Sequence, residues 1–323
     1  MSIKDVVALG EVLIDFTYVG DSAEGNKLYQ ENTGGAPANC VSCVSKLGGK
    51  GAFIGCTGRD SFGEDIRGAL SDINVDISQM QYTQAQHTTL AFVTLSKTGE
   101  RSFSFCRNPG ADTQLDYSLI DKSYLTDTKV LHVGSLPLTH PVSYETTMQA
   151  VKTARNAGVT VSYDPNWRES LWSGREDAFD KIKSLFNYTD IVKISDDEVN
   201  LFFGKMDDYS QSADIIHSYG VRLVFITLGK DGAFYSYKDK NKCFTGRVGC
   251  PDGKVVDTTG AGDSFFGGIL YCLTRNDNIF SFDRKTLCDY VKFGNAVATL
   301  CVSKKGAIPA LPYLSEVEKL LQQ

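Results

Sequence analysis

Short unbroken apolar runs alternate along the chain with longer stretches whose apolar residues recur every three or four positions. The runs fall at 6–16, 130–134, 159–163, 190–194 and 223–228, and the helical spacing at 37–47, closed by Gly48-Gly49, and at 142–157. Apolar runs without polar alternation are buried on both faces, the signature of parallel strands covered by helices. Two stretches, 12–33 and 88–107, break this rhythm and read as strand pairs. In the second, Phe103, Phe105 and Arg107 share one face, Ser102, Ser104 and Cys106 the other, after a plausible hairpin turn at 96–100. The pattern predicts an α/β three-layer sandwich with a mostly parallel central sheet flanked by helices, plus a small antiparallel β-sheet flap. With no Pro/Ser-rich linker, low-complexity tract or internal repeat, residues 1–323 read as a single domain.

Chemistry concentrates in Asp257-Thr258-Thr259-Gly260-Ala261-Gly262-Asp263-Ser264-Phe265-Phe266-Gly267-Gly268. Gly260 and Gly262 lack a Cβ, so their backbone can approach a ligand closely. The amides of Gly260, Ala261 and Gly262 lie where a helix begins, and free N–H groups at a helix N-terminus bind anions. A carboxylate beside an anion site would repel the anion, unless it accepts the proton of a hydroxyl that attacks a phosphoryl group. Asp263 is therefore the candidate base, although an Asp at this place is also a common helix N-cap. Asp15 closes an apolar run; a polyol could hydrogen-bond it there, and a turn-initiating Asp is the simpler alternative.

A second motif, Gly34-Gly35-Ala36-Pro37-Ala38-Asn39, joins the first. Together they resemble the two signature segments of the ribokinase-like (PfkB) family of carbohydrate kinases. The likeness runs from Gly10-Glu11-Val12-Leu13-Ile14-Asp15 to Lys304-Lys305-Gly306-Ala307 and is nearest to bacterial-type fructokinases. These share Gly99-Glu100-Arg101-Ser102-Phe103-Ser104-Phe105 and Asp164-Pro165-Asn166-x-Arg168.

The resemblance implies a ribokinase-like fold whose flap, within about 12–33 and 88–107, is a lid over the sugar and a route to a homodimer. It implies ATP and Mg²⁺ as cofactors and a small sugar as substrate, D-fructose first. The sugar would meet Asp15, Gly34, Gly35, Asn39, Phe105, Asn166 and Asp263. Arg107 would reach it from the lid, with a solvated surface cation as the alternative. ATP would be held by Arg168, Lys193, Ser195, Thr227, Gly229, Gly232 and Gly262, with Asn295 in the wall beside adenine. Glu198 would act on Mg²⁺ through water; Ser195 stands where the family usually has Asn. Asp257 and Thr259, with backbone near 301–306, would hold a monovalent cation, K⁺.

Composition narrows the classes. A net charge of −6 with no basic tract argues against a nucleic-acid or anionic-membrane partner. Nine scattered cysteines lack zinc spacing, and the first residues have no apolar stretch for a signal peptide; a cytoplasmic protein with reduced thiols is expected. The four histidines show no metal spacing. A Gly-x-x-x-x-Gly-Lys-Ser/Thr loop is absent, as are His-Arg-Asp and Asp-Phe-Gly, which removes Walker ATPases and protein kinases. Gly10 is not followed by G-x-G-x-x-G, which removes a dinucleotide-binding dehydrogenase. Within the family, 2-keto-3-deoxygluconate and riboside kinases remain open. A non-catalytic sugar or nucleotide sensor is the reading from another class.

Overall fold

The structure, a computed structural model, describes residues 3–95, 101–206 and 208–322, without the side chains at 94, 95 and 101–103. The turn expected at 96–100 and the Phe103 side chain lie outside the described residues.

Eight strands form the main sheet: β1 (Lys4–Leu9), β4 (Gly51–Ile54), β9 (Thr128–Gly134), β10 (Thr160–Asp164), β11 (Ile191–Ser195), β12 (Leu223–Thr227), β13 (Ala233–Lys238) and β14 (Cys243–Val248). Their order is β14-β13-β12-β11-β10-β9-β1-β4; β4 through β12 run parallel, and β13 and β14 close one edge antiparallel. Successive side chains of a strand point to opposite faces. Val6 and Ala8 thus enter one core while Val7 and Leu9 enter the other. The first core is covered by α1 (Ala36–Lys46), α2 (Ser61–Asp72), α8 (Ala261–Thr274), α9 (Arg284–Val302) and α10 (Leu314–Leu321). The second is covered by α3 (Ser123–Thr126), α4 (Pro141–Asn156), α5 (Arg175–Phe186), α6 (Asp196–Phe203) and α7 (Tyr209–Ser218). This is the ribokinase-like α/β architecture. Among the described residues, no helix is long and apolar enough to cross a membrane.

The flap is a separate four-stranded sheet, ordered β3-β2-β7-β8, of β2 (Leu13–Asp21), β3 (Lys27–Gly34), β7 (Leu90–Leu95) and β8 (Arg101–Cys106). It is mixed rather than wholly antiparallel, because the first strands of its two hairpins, β2 and β7, run the same way where they meet. A stacked Phe16–Phe92 pair (5.1 Å) bridges the hairpins, and Phe62 of α2 packs edge-on against Phe16 (5.8 Å). A two-stranded sheet of β5 (Cys56–Gly58) and β6 (Gln81–Thr83) lies apart. The apolar run 6–16 is not one strand: the chain breaks at Gly10-Glu11-Val12 between β1 and β2. Asp15 is therefore the third residue of a flap strand and not the end of a core strand.

Candidate active site

Strands β1, β10, β11 and β12 all end at one cleft of about 680 Å³. Ligand sites of open α/β sheets form outside these carboxyl ends. The flap supplies Asp15 and Phe105 to its rim; the start of α1 supplies Gly35 and Asn39; the N-cap and first turn of α8 supply Gly260, Ala261, Gly262 and Asp263.

Gly260 adopts φ 76° and ψ 4°, the left-handed conformation that glycine tolerates, and starts α8. The first turn of a helix leaves N–H groups without intrahelical partners. The Ala261 N–H donates to Thr258 O (3.3 Å) and that of Ser264 to Gly260 O (2.8 Å). The Ala261 amide, expected to meet the anion, thus already has a partner in the preceding turn, and Gly262 and Asp263 follow it in the first turn of α8. Above Gly262 sits the Lys193 ammonium, whose Nζ would lie 2.6 Å from a Cβ added there.

Asn39 Nδ2 donates to Asp263 Oδ2 (2.8 Å), tying the two sequence motifs together across the cleft. Burial raises the Asp263 pKa above the ordinary carboxylate range, while Lys193, the Asn39 hydrogen bond and Arg168 pull it back. Lys193 is itself buried and paired with Asp164 Oδ2 (3.0 Å). Burial works against its charge, but Asp164, Glu198 and Asp263 together hold its pKa up, so it stays an ammonium. Burial pushes Asp164 up as well, and its carboxylate neighbours Glu198 and Asp263 add to this. Lys193 offsets part of this, so the cleft is a cation ringed by carboxylates that it helps to keep ionised.

Sequence reasoning missed Asp164 and Glu11. Asp164 stands in the quoted Asp164-Pro165-Asn166-x-Arg168, and its Oδ1 accepts the Asn166 N–H (3.2 Å) where that residue takes φ 43°. Glu11 stands in the quoted N-terminal segment and lines the cleft. Asp15 lies over Gly34, where a Cβ would collide with Asp15 Oδ2; Gly34 makes room for the carboxylate and does not itself line the cleft.

Asn166, expected at the sugar, and Arg168, Lys193, Ser195, Thr227 and Gly229, expected at the nucleotide, all line the cleft. Ser195 caps α6 in a reciprocal box with Glu198, accepting the Glu198 N–H at 3.2 Å. Glu198 accepts from Ser195 N (2.8 Å), Ser195 Oγ (2.9 Å) and Trp167 N (2.6 Å). With its oxygens so occupied, Glu198 fits a hydrated Mg²⁺ reached through water rather than direct ligation. Among the described residues, no group of three or more His, Cys, Asp or Glu could hold a metal by itself. Asp257 accepts from Thr259 N (2.9 Å) and Oγ1 (2.7 Å) and from Gly306 N (3.0 Å). The segments expected around a monovalent cation do meet.

Three expectations are corrected. Arg107 does not line the cleft: its side chain is 4% exposed and forms an ion pair with Asp112 (2.7 Å), with further bonds to Thr139 Oγ1 (2.8 Å) and Leu136 O (3.3 Å). The guanidinium finds its carboxylate inside the protein. Asn295 is buried and donates to Val248 O (3.0 Å) and Gly249 O (3.1 Å), pinning the end of β14 instead of walling the cleft. Gly232 takes φ 87° against Val248 O, closing the turn between β12 and β13 away from the cleft.

Comparison with known proteins identifies the family and the fold. Residues 3–314 match the family described as pfkB family carbohydrate kinase. The Arabidopsis thaliana protein named "Probable fructokinase-5" is 41% identical over 98% of this chain and 97% of its own. A Xylella fastidiosa fructokinase with bound ATP superposes with TM-score 0.90 at 29% identity, covering 99% of both chains. A Vibrio cholerae fructokinase binding fructose, ADP and calcium superposes with TM-score 0.87 at 32% identity, over 98% of both. The chain belongs to the pfkB family of carbohydrate kinases.

Proposed function

We propose that this protein transfers the γ-phosphoryl group of ATP to the 6-hydroxyl of D-fructose, giving fructose 6-phosphate and ADP. The observation that carries this is the 2.8 Å bond from Asn39 to Asp263, which brings a sugar motif and an anion loop to one point. Asp263 accepts the proton of the sugar hydroxyl as its oxygen attacks the γ-phosphorus and the bond to the β-phosphate oxygen breaks. The Gly262 and Asp263 amides and the Lys193 ammonium hold the charge on the transferring group, preorganised so that little moves at the moment of transfer. Asp15 takes sugar hydroxyls on the lid side, and Arg168 and Ser195 face the phosphates. Mg²⁺ brought with ATP would help neutralise its phosphates, and Glu198 is the residue that would hold it, through water. A monovalent cation at Asp257 and Thr259 would steady the anion loop from behind.

The relatives support fructose as the sugar, since the Xylella protein binds ATP and the Vibrio protein binds fructose. Nine free cysteines suit a reducing compartment such as the cytoplasm. The flap presents half-exposed Val19 and Leu28, and its outer strands β3 and β8 are sheet edges, which supports a homodimer through the lid. A sugar panel with Mg-ATP, followed by ADP release, tests the reading. Fructose should exceed ribose, glucose, 2-keto-3-deoxygluconate and aminoimidazole riboside in kcat/KM by ~10-fold or more, about 1.4 kcal/mol. A sugar acid or riboside turning over better would keep the kinase and remove the fructokinase.

A further inference from the structure

Helix α1 opens without a cap of its own. Its N-cap is Gly35, which has no side chain, Pro37 brings no N–H, and its first turn holds no acid. The missing acceptor comes from twenty-five residues upstream, where Glu11 Oε1 accepts the Ala36 N–H at 3.0 Å. The backbone grips the same spot: Glu11 O would lie 2.5 Å from any Cβ at Gly35, which takes φ 112°. Three residues past Ala36 on the same helix, Asn39 holds Asp263.

We propose that Glu11 is a positioning residue of the sugar half, which fixes the start of α1 and through it sets Asn39 against Asp263. The inference rests on the phosphoryl-transfer reading of the cleft.

The second oxygen of Glu11 explains how a buried acid can serve here. Glu11 is 2% exposed, and Oε2 is buried with no hydrogen-bond partner among the described residues. A bare charge there would be costly. Burial pushes the acid up to about 8; Asp112 adds to this and Arg107 opposes it, the charged groups that face it from beyond the flap. Glu11 therefore carries its proton on Oε2 through neutral pH and caps the helix as a neutral acid. Above that range it ionises, with an unpaired buried charge at the joint of β2 and α1.

Steady-state kinetics of the full chain with Glu11→Ala and Glu11→Gln test this. Glu11→Ala should lower kcat/KM for fructose on the order of 10- to 100-fold, the scale of a slightly misplaced reacting group, with KM for ATP little changed. Glu11→Gln, which matches the neutral acid in shape and keeps an acceptor for Ala36, should recover most of that loss. The wild type should lose kcat above about pH 8, and Glu11→Gln should remove that fall. Wild-type kinetics in Glu11→Ala, or an equal rise in KM for ATP, would overturn the inference. If Glu11→Ala does not fold, an alkaline limb in Glu11→Gln identical to that of the wild type overturns it. Absence of sugar turnover by the wild type would instead overturn the functional reading, so the two failures are told apart.

Discussion

Asp263 and Arg107 are both charged residues beside glycine-bearing segments, yet their neighbours give them opposite work. Asp263 faces the cleft, held by one amide and balanced by one ammonium. Asp263→Asn should lower kcat by ~10²–10⁴-fold with much smaller changes in either KM, the usual worth of a positioned base. An unchanged kcat in single-turnover assays would remove it from the chemistry. Arg107 has its charge answered within the fold by Asp112, which is 1% exposed. Arg107→Ala should destabilise the protein by about 3–5 kcal/mol, the cost of leaving one partner of a buried pair uncompensated. Denaturant titration measures this, and a change confined to sugar KM would instead return Arg107 to the ligand. Asp263 is legible in the sequence because its glycines, amides and helix start lie within a few residues. Arg107, Glu11 and Asn295 are not, because their partners are chosen by tertiary packing.

Among the elements, the parallel core is readable because strands buried on both faces have no polar alternation to confuse them. Helices α1 and α4 begin one residue before the expected 37 and 142 and end one before the expected 47 and 157. The break between β1 and β2 is hidden for the converse reason: Val12, Leu13 and Ile14 are as buried as the strand before them, so the apolar run continues through a bend. That bend lets Asp15 lie over Gly34. Gly34→Ala should raise KM for fructose roughly tenfold or more, about 1.4 kcal/mol, since its methyl would displace the Asp15 carboxylate. The melting temperature should move little by comparison, because the site is at the cleft rim; an unaltered KM would show that Asp15 does not bind the sugar.

For the whole molecule, buried acids and surface carboxylates place the stability maximum. Glu11 and Asp164 have folded pKa values raised above their unfolded ones, so the folded state binds more protons and stability falls as pH climbs from the ordinary carboxylate range toward about 8 for Glu11. Asp76 goes the other way: against the burial that would raise it, Lys4, Ser78 and Tyr124 hold its pKa well down. Its contribution is present at neutral pH and lost only as pH falls below the ordinary carboxylate range. Burial lowers the pKa values of His132 and His217, so their contribution is lost as pH falls below the ordinary histidine range. Thermal melts should lose stability toward pH 8.5, a loss that Glu11→Gln reduces; a melting temperature still rising at pH 8.5 would contradict the assignments.

The lid is spliced from two strand pairs, β2 with β3 and β7 with β8, which meet along the parallel seam of β2 with β7. Between them along the chain lie α1, β4, β5, α2 and β6, so the seam closes a long loop. Contacts that shut long loops form late, since loop entropy is lost before they return anything. Until the two strand pairs have met, a partly folded chain could hold nucleotide groups without offering a complete seat for the acceptor. In refolding, protection by fructose should lag behind recovery of secondary structure, which makes the lid an inspector of the finished body.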